Sequence, residues 1–124
     1  MHNKVKDSTI LVTGGAGFIG SYVIEELIPL QPKKIVIIDN FIRGTKENMK
    51  SFINNPIIEI HNADIRETDK LEACIAGCDY VFHMAALRIN ACAANPREGF
   101  DVMLKSTFDV ADLCAKYKVK KVIY

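Results

Sequence analysis

Three glycines recur at every third position in Thr13-Gly14-Gly15-Ala16-Gly17-Phe18-Ile19-Gly20, directly after the β-branched run Thr9-Ile10-Leu11-Val12-Thr13. A turn of this kind offers backbone N–H groups to an anion. Gly14 permits a sharp exit from the strand. Gly17 lets the backbone approach a pyrophosphate with no Cβ in the way. Gly20 allows the following helix to pack close on the sheet. The helix N-terminus adds free N–H groups and a partial positive charge. Asp39 supplies the second half of the chemistry. It closes the next apolar run nineteen residues past Gly20, near the spacing of about 20 expected of a carboxylate that accepts both ribose hydroxyls. Together these residues predict binding of the adenosine-pyrophosphate half of NAD. A carboxylate at that point repels a 2′-phosphate and so favours NAD over NADP. Arg43 could meet such a phosphate, but it falls on a loop, whereas Asp39 ends a strand.

The elements that must hold these residues alternate short apolar runs with helical patterns, the signature of a parallel α/β sheet. Strands are predicted at Thr9–Thr13, Lys34–Asp39, Ile57–His61, Asp79–His83 and Lys120–Tyr124. The second is apolar at consecutive positions, as in a strand covered on both faces. Helices are predicted from about Gly17 to Leu30, with Ile19, Val23, Ile24 and Leu27 on one face, near Glu47 to Ile53, near Lys70 to Ile75, and from Asn95-Pro96 to about Tyr117. Right-handed crossovers give a doubly wound, Rossmann-type sheet of order 3-2-1-4-5, with residues 1–124 as one domain.

Composition narrows the function further. The 124 residues carry a net charge of +1, which gives no electrostatic case for nucleic acid or a membrane surface. The longest apolar run is far shorter than a membrane span. The first residues have no apolar segment like that of a signal peptide, so the cytoplasm is the expected compartment. Cys74, Cys78, Cys92 and Cys114 include no C-x-x-C pair. They read as reduced thiols and not as a metal or redox site. His2 and His61 have no ligand partner at workable spacing.

In these motifs the chain resembles the extended short-chain dehydrogenase/reductase family, in its NAD-dependent epimerase/dehydratase group. Thr13 to Ser21 resembles that family's fingerprint. Asp39-Asn40-Phe41 resembles its ribose contact, and Asp64-Ile65-Arg66 its acidic turn beside adenine. His83-Met84-Ala85-Ala86-Leu87 resembles the strand end whose backbone borders the nicotinamide ribose. Within the family, Asp39 to Gly44 with Glu47-Asn48 fits the UDP-glucose 4-epimerase side best. The resemblance implies a cofactor site made of Gly14, Gly17, Phe18, Ile19, Asp39, Asn40, Arg43, Gly44, Asp64, Ile65, Ala85, Ala86 and Leu87. It also implies NAD as cofactor and a sugar nucleotide as substrate of the complete enzyme. One departure stands out. The family's long helix carries an Asn in an N-x-x-G-T pattern, but here Met103-Leu104-Lys105-Ser106-Thr107 puts Met103 at the Asn and Ser106 at the Gly. The polar contact of that Asn is therefore not carried over.

Family members use a Ser or Thr beyond the fifth strand and a Y-x-x-x-K pair on the next helix. The chain stops at Tyr124, before those positions. Tyr117 and Lys121 match the spacing but straddle a helix end and a strand, and they read as packing and as an edge charge. The expectation is a cofactor-binding part with no complete reaction site and no catalytic residue of its own. Two alternatives remain open at this stage. One is a nucleotide-binding module without activity. The other is the corresponding part of a 4,6-dehydratase or reductase. His83 reads as a residue that shapes the pocket more than as a proton carrier. Arg88 reads equally as a substrate contact or a loop charge. The lysines at 116, 118, 120 and 121 read as a solvated helix end. The exposed edge of the fifth strand and the helix after Pro96 favour a homodimer.

Overall fold

A computed structural model of the chain describes residues 3–124, so His2 lies outside the described residues. Five parallel strands form one sheet in the order β3-β2-β1-β4-β5, as the sequence predicts. They are β1 Thr9–Thr13, β2 Lys34–Asp39, β3 Ile58–Asn62, β4 Tyr80–His83 and β5 Lys121–Ile123. Successive side chains of a strand point to opposite faces, and helices cover both faces. Leu11, Val36, Ile38 and Val81 pack with Leu71, Cys74 and Ile75 of α2 (Thr68–Ile75) and with Val110, Leu113 and Cys114 of α5 (Ser106–Lys116). Ile10, Val12, Ile35 and Ile37 pack on the other face with Ile24 and Leu27 of α1 (Phe18–Leu27) and with Met49 and Phe52. This two-sided cover explains the unbroken apolar run of β2. Truncating a side chain such as the fully buried Ile37 to Ala costs about 2–5 kcal/mol.

Two of the predicted helices end earlier than the sequence reading. α1 ends at Leu27 and tightens into a 3-10 turn, Ile28–Leu30, around Pro29. The segment after Gly44 forms only one 3-10 turn, Glu47–Met49, followed by further turns; Met49 and Phe52 are buried in the core, and Ile53 packs against it.

The expected single helix from Pro96 to Tyr117 is a chain of pieces. α3 (Ile89–Ala94) precedes it, where no element was anticipated. α3 is alanine-rich, which favours a helix, and it stops at Asn95, where the residue before a proline is driven out of helical geometry. The Asn95 side chain then accepts the Glu98 N–H and caps α4 (Pro96–Gly99). Phe100–Lys105 follow as a π-helical turn before α5. There the Ser106 hydroxyl donates to the Asp101 carbonyl five residues back, 2.9 Å away, matching the wider turn.

Candidate functional site

The chain runs outward from β1 to β2 and β3, then returns across the sheet to β4. Where the winding reverses, the carboxyl ends of the strands leave a crevice, the place where open α/β sheets bind ligands. A cavity lies there. Gly14 and Gly17 line it from the turn after β1, and Asp39, Asn40, Arg43 and Gly44 from the loop after β2. Asp64, Ile65 and Arg66 follow β3, and Met84 to Leu87 follow β4. Ile38, Ile42, Ala63, Glu98 and Val102 complete the wall.

Gly14 has a φ of +69°, and a Cβ there would stand 2.8 Å from the Ala85 backbone. Both the conformation and the space exclude other residues. A Cβ at Gly20 would strike the Gly14 carbonyl. The close packing expected of Gly20 is thus against the glycine turn itself and not against the sheet. Gly17 is different. A Cβ there would meet only the Gly14 carbonyl, at 3.2 Å. Among the glycines of the turn, Gly17 is the least crowded by the protein's own atoms, and it faces the cavity.

Asp39 is buried at the end of β2. Its Oδ2 accepts the Ala16 N–H at 3.0 Å, and its Oδ1 accepts the Phe41 N–H at 2.8 Å. A carboxylate offers about four acceptor positions, so two remain for a ligand. Around Asp64, Arg66 forms a two-pronged pair, with Nε donating to Oδ1 at 2.9 Å and Nη2 to Oδ2 at 2.8 Å. The Arg66 backbone N–H also donates to Oδ1, at 2.8 Å, and the Asn40 amide donates to Oδ2 at 3.2 Å. The Arg66 fork holds the Asp64 carboxyl at a pKa of about 2 against the opposing cost of burial. Arg66 also reaches Glu98 on α4 at 3.5 Å, which ties the β3 loop to the far wall.

The β4 end is held from behind. The Thr13 hydroxyl accepts the Ala85 N–H at 3.1 Å and lies 2.8 Å from Nδ1 of His83. The other ring nitrogen, Nε2, faces the Thr107 hydroxyl at 3.1 Å, so the ring is held at both nitrogens. Burial pushes the His83 pKa down and favours the neutral ring. His83 does not line the cavity; it braces the strand end that does. Met103 also supports this end, since the Leu87 N–H points at its sulfur, 3.1 Å away. A thioether, a weak acceptor, thus stands where the family pattern has an Asn.

The structure brings eleven of the thirteen predicted residues to the cavity wall. Phe18 and Ile19 are 73% and 67% exposed on the first turn of α1 and do not line it. Arg88 stands exposed at the N-cap position of α3, with no side-chain capping bond. Tyr117 hydrogen-bonds Glu72, away from the cavity. The sequence reading includes Arg66 in the acidic turn but assigns only Asp64 and Ile65 to the site, whereas Arg66 also lines the cavity. Glu98 and Val102 carried no signal, because only the fold of the α4 and π segments brings them near. Among the described residues the four cysteines form no disulfide, and no three His, Cys, Asp or Glu side chains gather as a metal site. No described helix is long and apolar enough to cross a membrane.

Residues 11–124 match the 3-beta hydroxysteroid dehydrogenase/isomerase family. A putative UDP-glucose 4-epimerase of Methanocaldococcus jannaschii is 35% identical over 117 residues, covering 93% of this chain and 36% of that protein. The UDP-N-acetylglucosamine 4-epimerase of Methanobrevibacter ruminantium M1, solved with UDP-N-acetylmuramic acid, superposes with a TM-score of 0.88 at 35% identity, covering 96% of this chain and 37% of that one. The Bordetella bronchiseptica enzyme WbmF, solved with NAD+, gives 0.86 at 26% identity, covering 98% and 36%. The chain thus spans about a third of the length of these relatives.

Proposed function

The chain belongs to the 3-beta hydroxysteroid dehydrogenase/isomerase family of epimerase- and dehydratase-type proteins, and from that premise we propose that it is the NAD-binding part of a sugar-nucleotide oxidoreductase of the UDP-glucose 4-epimerase type. Residues 1–124 act as one NAD-binding domain. One observation carries the reading. A cavity at the reversal of strand order is lined at once by an open glycine turn, a buried strand-end carboxylate with spare acceptor positions, and an acidic turn after β3. The space at Gly17 suits a pyrophosphate. Asp39 accepts the adenosine ribose hydroxyls, with Asn40, Arg43 and Gly44 beside it. Asp64 and Ile65 border adenine. Ala85, Ala86 and Leu87 border the nicotinamide ribose, and Phe18 and Ile19 contribute the helix N-terminus. In the complete protein, bound NAD supplies the hydride acceptor and donor for a sugar nucleotide.

The same reading places the protein in the cytoplasm, in keeping with four thiols outside any disulfide, and has it pair as a homodimer. Apolar Phe100, Leu104 and Phe108, exposed along the α4 to α5 segment, support that pairing.

The test is a calorimetric titration of the chain and of its Asp39→Ala variant with NAD and NADP. The expected result is tighter binding of NAD than of NADP, with NAD affinity lost in the variant. Equal NAD affinity in the two proteins would remove the ribose assignment, and no binding by the parent chain would remove the proposal.

A further inference from the structure

We propose that Asn48 is a positioning residue for the glycine turn, holding its backbone in the shape that receives a pyrophosphate; the inference rests on the nucleotide-binding reading above. Asn48 does not line the cavity. It acts through Ala16, the buried residue between Gly14 and Gly17. Ala16 is gripped at both of its backbone polar groups. Its N–H goes to Asp39 Oδ2 at 3.0 Å. Its carbonyl accepts the Thr45 N–H at 3.0 Å and the Asn48 side-chain amide at 2.9 Å. A carbonyl has two lone pairs, so this one is saturated.

The loop reaches back to make these bonds for identifiable reasons. Asp39 Oδ1 takes the Phe41 N–H, and Phe41 adopts a left-handed φ of 57° that reverses the chain. Gly44 then lies flat on the turn, where a Cβ would stand 2.6 Å from the Ala16 Cβ. Asn48 is itself steadied, because its own N–H is held by the Thr45 hydroxyl at 3.2 Å. The Ala16 carbonyl belongs to the peptide unit whose N–H is that of Gly17. Rotating this unit re-aims the backbone at the entrance to α1, where the phosphates would sit. Asn48 therefore governs the phosphate-binding backbone without touching a ligand. Its amide must be a donor, since an oxygen in its place would face the carbonyl with no proton between them.

The experiment measures binding of ADP-ribose, which carries the pyrophosphate, and of adenosine, which does not, to the parent chain and to N48A. Backbone amide exchange is followed by NMR in parallel. One lost hydrogen bond to the turn predicts ADP-ribose binding weakened about fivefold to tenfold. Adenosine affinity should stay within about twofold, because its contacts at Asp39 and Asp64 remain. The amides of Ala16 and Gly17 should exchange faster, while those of Ile10 to Val12 do not. General destabilisation would weaken both ligands together and would overturn the inference. Equal ADP-ribose affinity in the two proteins would overturn it while leaving the nucleotide reading intact. A parent chain that binds neither ligand would overturn both.

Discussion

The Thr13 hydroxyl and the His83 imidazole lie 2.8 Å apart and join the ends of β1 and β4, residues 70 positions apart in sequence. The same hydroxyl accepts the Ala85 N–H, so one oxygen sets both the imidazole and the strand end that borders the cavity. Thr13→Val keeps the side-chain shape and removes this oxygen. It leaves a buried ring nitrogen and a backbone N–H without partners, and it should lower the unfolding free energy by about 2 kcal/mol. Thr13→Ser should lose less. Denaturant unfolding of the two variants checks the order.

His83 also makes stability depend on pH. Burial lowers its pKa in the folded chain, while the unfolded chain titrates near the ordinary value of about 6.5. Above that value both states hold a neutral ring. As pH falls through about 6.5 the unfolded chain takes up a proton that the folded chain refuses, so stability drops. Unfolding curves at pH 8 and pH 5.5 should show the loss. His83→Gln, which cannot titrate, should flatten the dependence over that window.

Gly14 and Gly17 should separate folding from binding. Gly14→Ala forces a Cβ into the Ala85 backbone at a left-handed φ, and it should destabilise the chain by about 2 kcal/mol or more. Gly17→Ala meets only one atom, at 3.2 Å. It should unfold within about 1 kcal/mol of the parent and yet bind NAD at least tenfold more weakly, because its methyl enters the ligand space. Thermal melts paired with NAD titration distinguish the two.

The Asp64–Arg66 pair gives a prediction that needs no ligand. Arg66→Ala removes the fork that holds the Asp64 pKa at about 2, and the carboxyl should return toward the ordinary value of about 3.9. A depressed carboxyl stabilises the fold above its unfolded pKa, and that contribution disappears as pH falls through about 2. Arg66 is exposed, so its loss should cost less than about 1 kcal/mol at neutral pH. An NMR titration of the Asp64 side chain reads the shift directly.

Much of the site was legible before folding. Glycines at 14, 17 and 20 and the acid at 39 are local constraints. A turn and a strand end need particular residues at particular spacings, and such needs show in sequence. The break of the long helix did not show. Its apolar spacing suits one helix, and the π turn depends on the Ser106 bond to Asp101. The Gly20 contact with the turn was likewise a matter of packing, not of periodicity.

By itself the sequence determined the strand order and the cavity's two chief groups, because both follow from short-range patterns and from the handedness of βαβ crossovers. Only the tertiary structure decided what braces them. Asn48 reaches Ala16 over 32 residues, Thr13 reaches His83 over 70, and Arg66 reaches Glu98 over 32. A single polar bond between distant segments leaves no period or spacing in the chain. It exists only once burial of two apolar faces has brought those segments together.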